Sequence, residues 1–145
     1  MLGRTAVRLA IFLIFAMALA GNAQAQDKLQ NYFSEAACKV KAETDPTQKR
    51  EILNKSFENM VTALNRVQGS PLISKDDKAG IDHYKVVIRD KQDELAGLNG
   101  FERVPDAQLN AFAAYSVQDM EQAAQSVTIS LVALLLIIII VILLV

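Results

Sequence analysis

The sequence predicts an all-α protein: a small up-down helical bundle of three or four helices whose last helix continues into a C-terminal transmembrane helix. Three observations lead there. Apolar residues in the middle of the chain return every three or four positions, with no alternating run bounded by turns that would suggest a sheet. Capping and stopping residues divide that pattern into rods of similar length. The last nineteen residues, Val127 to Val145, carry no charged, amide or aromatic side chain, and sixteen of them are Leu, Ile or Val.

The expected order is a leader over residues 1–25, an extracytoplasmic helical domain over 26–125 and a transmembrane helix over 126–145. Arg4 and Arg8 precede a short apolar run, Leu9 to Ala20, and Ala23-Gln24-Ala25 supplies the small residues of a signal-peptidase site. Cleavage after Ala25 would start the mature chain at Gln26. The alternative is an uncleaved anchor that leaves a two-span hairpin. About one hundred residues then remain for one domain with one core.

The first helix is expected over Asp27 to Thr44, where Leu29, Phe33, Ala36 and Val40 share one face at about 100° per residue. It stops at Asp45-Pro46. Asp45 can cap the next helix, Pro46 suits its first turn, and Gln48 completes a capping-box spacing. The second helix, Pro46 to Val67, repeats Leu53, Phe57, Met60, Leu64 and Val67 as a packing seam. Gln68-Gly69-Ser70-Pro71 breaks it. Ser74 then caps a third helix running to Ala96, with Asp76 and Asp77 favourably placed at its positive end.

Ile81, Tyr84, Ile88 and Leu95 form the stripe of that third helix, and Gly97, Asn99 and Gly100 offer left-handed stops. Pro105 opens the fourth helix. Its face of Leu109, Ala113, Ser116, Met120 and Val127 passes into the apolar terminus without Gly or Pro, so one unbroken helix is expected from the domain into the membrane. Short connections and matched lengths make sequential helices antiparallel neighbours.

At 1.5 Å per residue the terminal segment spans about 28 Å, close to a hydrocarbon thickness of about 30 Å. Arg4 and Arg8 stay on the cytoplasmic side, while Asp106, Asp119 and Glu121 precede the span with no Lys or Arg after Arg103. The final helix therefore runs outside to inside. The expected location is the bacterial inner membrane, single-pass, with the domain facing the periplasm. Asn22 stands where a lipoprotein would need its cysteine. A GPI signal fits the loose spacing rule around Ala114 and Ser116, in a eukaryotic host alone.

Without the leader, thirteen Lys and Arg face sixteen Asp and Glu, a net charge of −3 with both signs interspersed. Nucleic acid is excluded as a partner on that basis. One histidine and one cysteine cannot build a Cys/His zinc site or a haem attachment in a single chain, and no phosphate-cradling glycine loop is present. No cofactor, metal or catalytic residue is assigned, and an enzyme is not expected. His83 falls on the polar face of its helix, and Asp90, Asp93 and Glu94 with Arg89 and Lys91 resemble a solvated surface.

Two features point to a partner instead. Cys38 lies about 180° from Leu29 around its helix and is expected to be exposed, a candidate for an intermolecular disulfide in an oxidising compartment. On the fourth helix, Phe112, Tyr115 and Val117 widen the apolar arc to about 200°, more than a bundle core requires, which makes them a candidate partner surface. The function expected is a non-enzymatic membrane scaffold or a small subunit of an envelope complex, binding a protein partner or a second copy. The alternative is a ligand-binding or sensing bundle acting through a partner subunit.

Overall fold

A computed structural model describes residues 22–127 and 129–144. Five α-helices follow one another: α1 Asn22–Ala42, α2 Pro46–Gln68, α3 Lys75–Ala96, α4 Leu109–Ser126 and α5 Leu131–Leu144, with a 3-10 turn at Asp106–Gln108 before α4. No strand occurs among the described residues. The chain is all-α, and its core is a helical bundle. Most of the leader expected at 1–25 lies outside the described residues, and α1 is already helical from Asn22, five residues before the sequence places its start.

Local chemistry sets the helix ends. Asp45 caps α2 by accepting the Thr47 N–H at 2.9 Å, with Pro46 in the first turn. The reciprocal bond comes from the other direction than the capping-box spacing suggests: Glu43, not Gln48, accepts the Asp45 N–H at 3.2 Å. Ser74 caps α3 by accepting the Asp77 N–H at 3.1 Å. That helix ends at Gly97, whose φ of 72° is left-handed. Glycine is required there twice over, because a Cβ would lie 2.7 Å from the Arg103 backbone nitrogen.

Four helices close a ring. α1 packs on α2, α2 on α3, α3 on α4, and α4 returns to α1. Hydrogen bonds fix the alternation of direction: Gln30 near the start of α1 donates to Glu121 near the end of α4 at 3.1 Å, and Lys49 at the start of α2 donates to Asn110 at the start of α4 at 2.8 Å. The stripes read from the sequence meet inside. Leu29, Phe33, Ala36 and Val40 of α1, Leu53, Phe57, Met60, Leu64 and Val67 of α2, Ile81, Tyr84, Ile88 and Leu95 of α3, and Leu109, Ala113, Ser116 and Met120 of α4 are all buried. Ser116 is accommodated because its hydroxyl donates to the Phe112 carbonyl one turn back at 2.8 Å.

Arg50 ties the open end of the ring together. Its guanidinium donates to the Leu95 carbonyl at 3.3 Å, the Val104 carbonyl at 2.5 Å and the Asp106 carboxylate at 2.7 Å, binding the end of α3, the following loop and the 3-10 turn to α2.

The terminal helix departs from expectation. α4 stops at Ser126, Val127 is extended (φ −113°, ψ 144°), and α5 begins afresh at Leu131, so the fourth helix does not continue into the apolar terminus. Serines flank the break, Ser126 and Ser130, and supply bonds that compete with a continued helix. The Ser126 hydroxyl donates to the Ala123 carbonyl at 2.9 Å, closing α4, while Ser130 accepts the Ala133 N–H at 3.3 Å, opening α5. The chain reverses there. α5 runs back along the bundle and lies against α2 and α1. No helix among the described residues is long and apolar enough to cross a membrane; at fourteen residues α5 reaches about 21 Å.

Candidate functional site

The groove that receives α5 is the most unusual surface of the molecule. Ala133, Leu134, Ile137, Ile138 and Val141 point into it and are buried. Because the sequence from Leu131 to Leu144 is apolar at every position, turning one face inward leaves another outward. Val132 is 54 %, Ile142 59 % and Leu143 72 % exposed. A helix evolved only to fill a water-facing groove would carry polar residues on that side.

Asp77 fastens the start of this helix. The Ser130 backbone N–H donates to one carboxylate oxygen and the Ser130 hydroxyl to the other, both at 2.7 Å. Burial pushes the Asp77 pKa upward, but these bonds, with those from Ser74, outweigh it and hold the carboxyl below the ordinary carboxylate range. One carboxylate thus joins the N-terminal turn of α3 to the N-terminal turn of α5. In the sequence Asp77 reads as a dipole partner of its own helix, with nothing to tie it to Ser130. The usable signal was Ser130 three residues before Ala133, an N-cap spacing that the surrounding aliphatic run conceals.

Beneath α5 the fit is incomplete. Tyr84 is buried to 1 % exposure beside Leu134 and Ile137, and its hydroxyl has no hydrogen-bond partner among the described residues. Burial alone raises its pKa far above the tyrosine norm. Farther along, α5, α1 and α2 line an open cleft of about 620 Å³. Aliphatic side chains, among them Met60, Ile138 and Val141, form its floor, and Lys39 and Lys55 stand on its rim with Glu35. Tyr32 also borders it; burial pushes its pKa up to about 12, and its hydroxyl donates to the Ser56 carbonyl at 2.7 Å.

The residues singled out from sequence fall at separate places. Cys38 is exposed and unpaired on α1, and His83 is exposed on α3. Along α4, Tyr115 is 56 % exposed, Val117 half-buried and Phe112 buried at 6 %. The structure therefore leaves Tyr115 open to solvent and turns Phe112 into the bundle. Both rings flank the Lys91 ammonium, at 4.7 Å for Tyr115 and 5.7 Å for Phe112.

Lys91 itself was grouped with the solvated charges of α3, yet it is buried. It pairs with Glu94 at 3.0 Å and with Asp119 of α4. Desolvation acts to lower its pKa, and the two carboxylates overcome it and raise the value. No group of three or more His, Cys, Asp or Glu side chains placed to hold a metal occurs among the described residues.

Comparison of the chain with protein-family models, with curated proteins and with solved structures returned no match.

Proposed function

We propose that this protein is a non-enzymatic, membrane-anchored interaction module: a periplasm-facing helical bundle held at the bacterial inner membrane by residues 127–145, acting as a scaffold or as a small subunit of an envelope complex. The observation that carries the reading is the aliphatic terminus, which the bundle covers on one side only. On an insertion scale of roughly −0.3 to −0.6 kcal/mol per Leu, Ile or Val, its sixteen such residues favour the bilayer by about 5 to 10 kcal/mol as an upper bound. Helical throughout in lipid, the nineteen residues would reach about 28 Å. The leader supplies export, and the negative charge of the domain with its lack of a basic stripe argues against nucleic acid.

Alkaline carbonate treatment of membranes from cells producing the chain tests the anchor. Retention in the pellet is expected, and release into the supernatant with the terminus intact would overturn it. Partner binding is tested by crosslinking in intact membranes, where adducts should form through the open Tyr115 side of α4. Cys38 provides a second readout: a dimer-sized band on non-reducing gels that Cys38→Ser removes supports a disulfide between chains, and a purely monomeric pattern refutes it.

A specific observation favours a second reading, a ligand-binding bundle acting through a partner subunit. The 620 Å³ cavity joins an aliphatic floor to a rim bearing Lys39 and Lys55, a combination suited to a single acyl chain with an anionic head. Titration with a long-chain fatty acid should then protect the protein against thermal unfolding, and Met60→Trp, which fills the floor, should abolish the protection.

A further inference from the structure

We infer that α5 is an exchangeable helix: the groove on α1 and α2 and a lipid bilayer compete for it, and the Asp77–Ser130 contact is the latch that biases it toward the groove. The inference rests on the membrane reading above and adds to it a second, membrane-free seat and the contact that controls departure from it.

Four observations converge. First, α5 has no polar residue to prefer the groove over lipid, and Val132, Ile142 and Leu143 remain in water while it is seated. Only transfer to hydrocarbon covers all faces together. Second, the seat is imperfect. It leaves the Tyr84 hydroxyl buried without a partner among the described residues, and an open cleft of about 620 Å³ beside Ile138 and Val141. Departure of α5 would return that hydroxyl to water, removing the cost of an unmade hydrogen bond.

Third, the ring of α1 to α4 closes through its own contacts, so α5 can leave without opening it. Fourth, a hinge is already built. Val127 is extended, and among the described residues the polar bonds that join α5 to the bundle converge on Ser130, at the end nearest α4. Beyond that point the seat is held by aliphatic contact, which a bilayer replaces without loss. Among the described residues the latch is therefore the element of the seat that lipid cannot reproduce. Weakening it should shift α5 toward the membrane in proportion to the lost preference.

The chain contains no tryptophan, so a single Leu143→Trp reports on α5 alone, independently of the apolar leader. Leu143 faces solvent in the seated state. Emission is followed as the full chain is titrated with phosphatidylethanolamine/phosphatidylglycerol vesicles, with and without brominated acyl chains. A blue shift with bromine quenching marks insertion. In the same background, Ser130→Ala and Asp77→Ala should each reach half-effect at about tenfold less lipid, the size expected for losing hydrogen bonds to a buried carboxylate. Ser74→Ala, which weakens the cap of α3 without removing either Ser130 bond, should shift the midpoint far less, and circular dichroism confirms that each variant retains its helices.

Equal midpoints for the parent and both latch variants, with insertion intact, overturn the latch and leave the membrane reading standing. A shift for Ser74→Ala as large as for Ser130→Ala also overturns it, since general loosening of α3 would then account for the effect. Absence of a blue shift in every variant overturns the exchange and the membrane reading together.

Discussion

Two glycines separate the causes of backbone constraint at single-residue resolution. Gly97 and Gly100 both have positive φ, 72° and 89°, but a Cβ at Gly97 would lie 2.7 Å from the Arg103 nitrogen and one at Gly100 meets nothing within 4 Å. Gly100→Ala should lose about 1–2 kcal/mol from the left-handed backbone alone. Gly97→Ala should lose more, above about 2 kcal/mol, because backbone cannot give way as a flexible side chain would. Urea unfolding of the pair tests this, and equal losses would show that the approach of Arg103 imposes no constraint. Lys91 illustrates a different economy. Lys91→Met keeps the aliphatic stem and strips Asp119 and Glu94 of their shared cation, so a loss of about 1–3 kcal/mol is expected in the same assay. No loss would mean that the half-exposed carboxylates rehydrate without penalty.

At the level of helices, legibility followed amphipathicity. The stripe Leu53, Phe57, Met60, Leu64 and Val67 is visible in sequence because most of the residues between its members are polar, and every member is buried. Caps at Asp45 and Ser74 and the stop at Gly97 were visible because each uses a residue type chosen for a backbone geometry. The break before α5 was hidden for the opposite reason. An aliphatic run has no polar face to show which side packs, and the hydroxyl residues at its start, Ser126, Thr128 and Ser130, also suit a bilayer surface. Lys91 was missed because a lysine paired across two helices has the same spacing pattern as one in water. Nor could periodicity foretell that Asp77 would find its partner 53 residues away. That pairing carries a pH dependence. The folded carboxyl titrates below its unfolded value of about 3.9, so its contribution is complete above that value and is lost as pH falls through the folded pKa. Between about pH 5 and pH 2 the urea midpoint of the parent should therefore fall more steeply than that of Asp77→Asn, which has no charge to lose. Superimposable profiles would remove the carboxylate from the account of how α5 is held.

For the molecule as a whole, the question is whether α5 belongs to the core or is a guest upon it. Burial alone suggests the former, since Ala133, Leu134, Ile137, Ile138 and Val141 are as covered as residues of the ring. Connectivity argues otherwise: α4 already returns to α1, and the largest fully buried side chains, Tyr84, Phe57, Met60 and Leu64 among them, come from α1 to α4 with the exception of Ile137. A guest can be removed. The chain ending at Ser126 should keep the helicity of α1 to α4 and unfold in one cooperative transition, because about one hundred residues with a four-sided core satisfy the size requirement of a domain. It should also bind more of an environment-sensitive naphthalene sulfonate dye than the seated protein does, since Leu29, Met60 and Tyr84 lose their cover. The two readouts divide the cases. Cooperative unfolding with new dye binding identifies a bundle able to stand at a membrane while its terminal helix is in lipid. A broad, non-cooperative transition would make α5 an integral fifth helix, and a bundle that depends on it could not surrender it to the bilayer.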